Sequence, residues 1–426
     1  MSDFSLRPSG TPNAAFLRFQ PLFIFCMIAF AALQAVLLWQ NRASMAEGYG
    51  DFAAFYTAGK IVAHGESARL YDSDTQWQIQ QEFASTVQIR RRPLPYIRPS
   101  FEALLFVPFA WLSYPAACVA WMAFKIALIL ALPFLLPPPI AEGEKIRTHA
   151  LRSLLCLAFF PVGFDLLMGQ DSTLLLFILA LALRQMRKGA DLQSGAIMAL
   201  GLFKFHLILP LLLTLALAKR GRLVLGFAAT ATGLFLISLA MVHWSGLTAY
   251  PRYLLRLSSW PGFGLVQAFR MPTLRGLLTV LPSTEILSRI VSWLLLSGFV
   301  LAILVAARLW RADDREGVPV AFSFSIVIAL LTTYYASSYD LTLLLLPLLL
   351  LGKPFLLSDR EWSRSLFLAA ASVLLCTPLL WFLVLRLDQF RWIALALLAL
   401  AASIFRFGKA SASRRIADVA MTKMSK

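Results

Sequence analysis

The chain has 426 residues, 59% of them hydrophobic and 14% charged, with a mean hydropathy of +0.73; apolar runs of membrane-spanning length recur from end to end, which excludes a soluble globular protein. The formal net charge is +17, but much of it sits in short clusters between apolar runs, such as Lys219-Arg220-Gly221-Arg222, and no polar region interleaves basic and stacking aromatic residues, which argues against nucleic acid as a partner. Cys26, Cys118, Cys156 and Cys376 all lie in apolar stretches and never at metal-ligand spacing, which argues against a disulfide framework and a zinc site.

Residues 1–20, with Arg7 and Arg18, read as a cytoplasmic tail. Pro21 to Trp39 is too long for a signal-peptide core and reads as a membrane anchor. The loop 40–100 is the long polar segment, and within it Asp51 to Ala63 has good helix composition and closes on His64-Gly65, a glycine C-cap. Phe52, Phe55, Tyr56 and Gly59 recur at three- and four-residue spacing, so 51–63 is expected to be an interfacial helix with an apolar face on the membrane. Asp51 then stands at the helix start. Spacing alone favours a cap for it, and a carboxylate just outside the bilayer also has the chemistry of a general base within reach of an acceptor hydroxyl.

Asp72-Ser73-Asp74 has the spacing by which soluble sugar-nucleotide transferases hold a metal, but no nucleotide fold surrounds it, and a solvated turn is the commoner meaning. Arg90-Arg91-Arg92 with Arg98 forms a basic cluster suited to anionic headgroups. Spans at 101–113, 115–137, 150–167 and 172–184 follow. With 21–39 they make one crossing too many for two cytoplasmic ends. Phe101 to Ser113 reaches only about 20 Å as a helix, against a hydrocarbon core of about 30 Å, so it is expected to insert partially or at a tilt.

Gly169-Gln170-Asp171 forms an external turn, where Asp171 either caps the next helix or serves a site. Between the basic clusters 184–188 and 219–222, Lys204 and His206 fall near the middle of an apolar stretch. Two half-length helices meeting at Phe203-Lys204-Phe205-His206 satisfy the topology better than one helix with a buried lysine. A lysine at membrane depth costs about 2.5–3.5 kcal/mol on insertion scales and marks a functional or paired site, unless it snorkels to the surface.

Basic clusters at Arg308 to Arg315, Lys353 to Arg364 and Arg406 through Arg415 read as cytoplasmic, with spans near 223–242, 287–307, 318–335, 339–351, 366–385 and 391–406 alternating between them. This places 243–282, 332–339 and 386–391 outside. Arg270 lies in the external loop 243–282, after Trp260-Pro261-Gly262; its fork suits phosphate oxygens, although a surface arginine is commoner. Tyr339-Asp340 opens another span, as a helix cap or as a partner for Lys204 or Arg270. His64, His149, His206 and His243 have no ligand spacing, so no metal is assigned. The expected organisation is a single all-α transmembrane domain, 21–406, between tails 1–20 and 407–426.

In order, these segments resemble glycosyltransferase family 87 of the GT-C superfamily, the polyprenyl-phosphate-mannose-dependent mannosyltransferase-like membrane proteins. The resemblance runs from Asp51 to Pro347. Asp51-Phe52 with Phe55-Tyr56-Thr57-Ala58-Gly59 and Leu70-Tyr71-Asp72 resembles the family's first external loop, and Arg98-Pro99-Ser100-Phe101 its Tyr-Pro-Pro-Phe helix entry. Gly169-Gln170-Asp171 resembles its Gly-Gln-Asn turn, Phe203-Lys204-Phe205-His206 its Lys-Pro-Gln hairpin, Arg270-Met271-Pro272-Thr273 its Lys-Met-Pro-Ser segment and Tyr339-Asp340-Leu341 its Tyr-Asp-Leu span.

The resemblance implies a polytopic GT-C fold of about 11–13 transmembrane or partly inserted helices. It implies an inverting, metal-independent transfer of a mannose-like hexose from a polyprenyl-phosphate donor to a lipid or glycan acceptor, without a cofactor. The site would face the exterior or periplasm from the plasma (inner) membrane, as part of cell-envelope synthesis. In these terms Asp51 is the general base; Lys204, Arg270 and Arg98 face the donor phosphate; and Tyr56, Gln170, Asp171, His206, Tyr339 and Asp340 line the substrate site. The rival reading is a transporter of a lipid or small solute, with Lys204 and Asp171 as coupling charges; the internal repeats common in such proteins are not evident in the sequence.

Overall fold

A computed structural model describes residues 14–84, 92–136, 145–258, 267–281, 284–311 and 317–424. Arg7, Arg90, Arg91, Trp260-Pro261-Gly262, Pro282 and Arg315 lie outside the described residues. The structure is 84% helical, and no strand occurs among the described residues. That follows from the composition, since in lipid each backbone polar group must be satisfied within the chain and a helix does so locally. Among the described residues seven helices are long and apolar enough to cross a membrane, or nine if each of two bent pairs counts as one span. The chain is an all-α, polytopic membrane protein.

The two bent pairs meet each other. Arg147–Ala158 and Phe160–Met168 join at 60°, and Glu361–Leu375 and Thr377–Leu387 at 59°. Each second helix carries a proline in its first turn, Pro161 and Pro378, which favours a helix start there. Carbonyls freed at the first bend are taken by side chains: Gln34 Nε2 donates to Leu157 O at 2.8 Å and to Phe159 O at 3.0 Å, and the Thr377 hydroxyl to Ala158 O at 2.5 Å. These contacts satisfy the opened backbone without water.

The apolar stretch Asp191–Leu217 has 27 residues, enough for one crossing of about 40 Å. It does not run straight. Arg220, just past its end, lies 3.8 Å from Asp191 at its start, and a Cβ on Gly195 would strike the carbonyl oxygen of Leu223. The segment is a hairpin of Asp191–Ala199 and Phe205–Leu217, joined by the 3-10 turn Leu200–Lys204, with Lys204 itself outside helical geometry at φ −110, ψ 57. The basic clusters 184–188 and 219–222 consequently share one end of the bundle, and Lys204 reaches the other.

That other end is capped by the first loop, where one expectation is corrected. Phe52, Phe55, Tyr56 and Gly59 of the helix Phe52–Ala63 do not face the membrane; all four are buried against protein. Their cover is Ser100–Ala110, whose 11 residues reach about 16 Å, too short to cross and free to lie against the loop helix. Gly59 permits the approach, because a Cβ there would sit 2.5 Å from Phe106 O. Phe55 stacks on Phe106 with ring centroids 4.8 Å apart, and Phe52 stacks on Trp121 at 6.2 Å.

The segment expected as an external loop after residue 242 begins as a helix. Gly221–Ser258 breaks at His243, where φ is 56, and its second part lies back on the first loop. Tyr250 donates to Ile97 O at 2.9 Å, and the Tyr253 hydroxyl lies 3.4 Å from Gln76. These contacts steady the stretch of chain that leads into Arg98.

Candidate functional site

Helix Phe160–Met168 ends at Gly169 in the left-handed region, φ 69. A side chain there would be strained, and its Cβ would stand 2.5 Å from Phe52 Cβ. The glycine lets the chain turn sharply, so Gln170 and Asp171 stand at the head of the next helix, Ser172–Arg187.

A single polar chain runs through this turn. Gln170 Nε2 donates to Asp51 Oδ2 at 2.6 Å, and its Oε1 accepts from Arg98 Nη2 at 3.0 Å. The guanidinium has only donors, so it dictates which way the amide points. The same guanidinium grips Asp171 with both Nε, at 2.8 Å, and Nη2, at 3.0 Å. Lys204 Nζ lies 2.8 Å from Asp171 Oδ1 and 2.6 Å from Asp340 Oδ1, and donates to Ser172 Oγ at 2.5 Å. The Ser172 hydroxyl donates to Asp340 Oδ1 at 3.1 Å, and Asp340 Oδ2 accepts the Ser337 amide at 2.8 Å, closing a capping box.

Asp171, Lys204, Asp340 and Arg98 are all buried. Two cations thus face two anions in a closed set, the condition under which buried charges are tolerated. Burial alone would raise the Asp171 carboxyl, but Arg98 and then Lys204 override it and hold it well below the usual carboxylate range. Glu102 is different: burial, and after it the Asp171 carboxylate, push its carboxyl well up. Its Oε2 accepts the Tyr96 hydroxyl at 3.3 Å, while Oε1 has no hydrogen-bond partner among the described residues.

The pairing changes the part Lys204 can play. An ammonium has three protons, and here all three are engaged by Asp171, Asp340 and Ser172. A donor phosphate would have to displace one of these partners to reach it. Arg98 keeps its Nη1 group without a partner among the described residues.

Tyr339 and His206 flank this centre. Lys204 Nζ lies 4.9 Å from the Tyr339 ring, and the Tyr339 hydroxyl is 3.3 Å from that of Tyr335. His206 packs edge-on against Tyr335 at 6.0 Å, and its buried Nε2 has no hydrogen-bond partner among the described residues. The other expected residues are used elsewhere. Tyr56 donates to Leu112 O at 2.7 Å from within the aromatic packing of Phe83 and Tyr114, so its hydroxyl is committed to backbone. Arg270 pairs with Asp388 at 2.5 Å, and no hydrogen bond or ion pair joins it to the buried cluster among the described residues.

Asp51 occupies the N-cap position, yet its side chain makes no cap bond and its backbone is helical; the carboxylate goes to Gln170 instead. Asp72 does act as a cap, accepting from the Asp74 amide at 3.3 Å and from the Thr75 hydroxyl at 2.6 Å. Among the described residues no three His, Cys, Asp or Glu side chains are arranged to share a metal ion.

A second buried pair, Lys125 with Asp165 at 3.2 Å, lies beneath the turn. Sequence reasoning passes over it, although a lysine inside the apolar run 115–137 carries the same signal as Lys204. Tyr335 and Ser172 have no such signal, since tyrosine and serine at span ends are ordinary.

The sequence profile of glycosyltransferase family 87 matches residues 96–338, more than half of the chain. The matched stretch takes in Arg98, Gln170, Asp171, Lys204 and Arg270, and ends just before Tyr339 and Asp340. No curated protein and no solved structure matches the chain.

Proposed function

The chain belongs to glycosyltransferase family 87, and on that premise we propose that it moves a mannose-like hexose from a polyprenyl-phosphate donor to a lipid or glycan acceptor, inverting the anomeric centre, with Asp51 as general base. Membrane glycosyl transfer is the family's activity; the donor, the acceptor and the roles of the residues are our reading. One observation carries it. Of Asp51, Asp171 and Asp340, which the polar chain joins, Asp171 and Asp340 are fully covered, whereas Asp51 is only half-buried and so within reach of an acceptor.

In this reaction the acceptor hydroxyl gives its proton to Asp51 while its oxygen bonds to the anomeric carbon. The bond from that carbon to the phosphate oxygen breaks, and the polyprenyl phosphate leaves with the electron pair. A phosphate leaving group needs no protonation, so one base suffices and no second carboxylic acid is called for. Gln170 holds the base in place, and the Nη1 side of Arg98, which has no partner among the described residues, is available to meet the phosphate charge. The activated bond arrives with the lipid, so neither nucleotide nor metal is required.

The end of the bundle opposite Asp51 carries the basic clusters 184–188 and 219–222. Because cytoplasmic loops carry an excess of Lys and Arg, these clusters support a site that faces the exterior or periplasm from the plasma (inner) membrane. The test is sugar transfer from polyprenyl-phosphate mannose by the purified protein, with wild type compared with Asp51→Asn. Transfer by the wild type that is lost in a folded Asp51→Asn variant supports the reading. Undiminished transfer by that variant assigns the base elsewhere, and substrate flux into proteoliposomes without transfer would restore the transport reading.

A further inference from the structure

The turn Gly169-Gln170-Asp171 is held from below by residues that touch neither Asp51 nor Arg98. Lys125 lies inside the apolar helix Tyr114–Leu135, and its Nζ donates to Asp165 O at 2.7 Å and to Gln170 O at 3.1 Å, with Asp165 Oδ2 at 3.2 Å. Those three contacts use all three ammonium protons. One turn earlier on the same helix, Trp121 Nε1 donates to Gly169 O at 2.9 Å. Asp165 reaches past the turn, with Oδ1 accepting the Ser172 amide at 3.0 Å and Oδ2 the Thr173 hydroxyl at 2.8 Å.

Both inward-facing carbonyls of the turn and the first amide after it are therefore anchored by side chains. Lys125 and Asp165 are fully covered, so neither can meet a substrate; their effect must pass through the turn. What the turn presents on its other side is Gln170, 2.6 Å from Asp51. A glycine-based turn has no intrinsic preference for one geometry. An ion pair with no other partner accessible to it supplies that preference, because moving the turn would strand a charge in apolar surroundings.

We infer that Lys125 and Asp165, with Trp121, are positioning residues: they fix the Gln170 turn and through it the orientation of Asp51. The catalytic consequence rests on the proposed transferase reading, while the anchoring itself does not. Two measurements keep them apart.

The first is amide hydrogen exchange on the full-length protein. Lys125→Met is expected to speed exchange across 169–173 by about tenfold or more while Val318–Thr332 is unchanged. Thr173→Val removes one bond of the same set without baring a charge, so it is expected to fold and to show a smaller acceleration confined to the same residues. Unchanged exchange there in both variants overturns the inference.

The second is a double-mutant cycle on transfer from polyprenyl-phosphate mannose. Lys125→Met is expected to lower kcat about 100-fold with donor KM little altered, as a displacement of about 1 Å at the reacting groups would. Because the effect passes through Gln170, Lys125→Met in a Gln170→Ala background should cost nothing further. Losses that multiply instead would make Lys125 a mere contributor to stability and overturn its positioning role. A wild type with no transfer refutes the transferase reading, and the exchange measurement then decides the anchoring by itself.

Discussion

Asp51 and Gln170 stand 119 residues apart in the chain and share a 2.6 Å hydrogen bond, Nε2 to Oδ2. That bond turns a residue in helix-cap position into a member of a largely buried polar chain. It joins the first loop to the ion pairs of Arg98, Asp171, Lys204 and Asp340, and it orients a carboxylate that is only half-buried.

Asp51→Asn keeps the size of the side chain and an oxygen for Gln170 to bond, but it cannot take a proton. Transfer is expected to fall by about 10²–10⁴-fold, with the melting transition of the detergent-solubilised protein unchanged. Initial rates and a thermal unfolding curve, run on one preparation, check both halves.

Removing one member of the buried cluster leaves a partner charge uncompensated. Asp171→Asn or Lys204→Met is expected to destabilise the protein by about 3–5 kcal/mol. The contrast is Arg270→Ala. Its pair with Asp388 is 49% and 44% exposed, so the effect on stability should lie between about 0 and 1 kcal/mol. Denaturant unfolding in mixed micelles separates the two classes.

The sign of the pH dependence follows from Asp171. Its folded-state carboxyl is held below the ordinary value of about 3.9. The stabilisation is present in full above that ordinary value and is lost as pH falls from it toward the folded value. Mild acidification to about pH 5 should therefore leave the stability gap between wild type and Asp171→Asn intact, and the gap should shrink only below about pH 4. Melting temperatures of the two proteins between about pH 3 and 7 test this; a gap that closes by about pH 5 would show that Arg98 does not hold the carboxyl down.

Gly169→Ala places a Cβ 2.5 Å from Phe52 Cβ on a backbone at φ 69. Positive φ at a non-glycine residue costs about 1–3 kcal/mol, and the crowding adds to it. Trimming the neighbour with Phe52→Ala should relieve the crowding and not the strain, so the double variant should still transfer sugar more slowly than Phe52→Ala alone. Equal rates would show that the turn is indifferent to its left-handed residue.

The class of molecule and much of its topology are legible in the order of the amino acids. Hydropathy is close to a sum over single residues, so apolar runs show which segments can cross. Lysine and arginine clusters show which ends belong together, and the hairpin around Lys204 follows from both, as Asp191 and Arg220 confirm by meeting at 3.8 Å. What each polar or aromatic face touches emerges when the chain is folded. The spacing of Phe52, Phe55, Tyr56 and Gly59 says that one face is covered, and packing on Ser100–Ala110, rather than lipid, is what covers it. Lys204 is marked as costly by its position, yet its engagement by Asp171, Ser172 and Asp340 depends on segments up to 136 residues away. Burial cost is carried by a residue alone and can be read from its neighbours in the chain; the pairing that offsets that cost belongs to two residues at once, and exists only where the fold brings them within bonding distance.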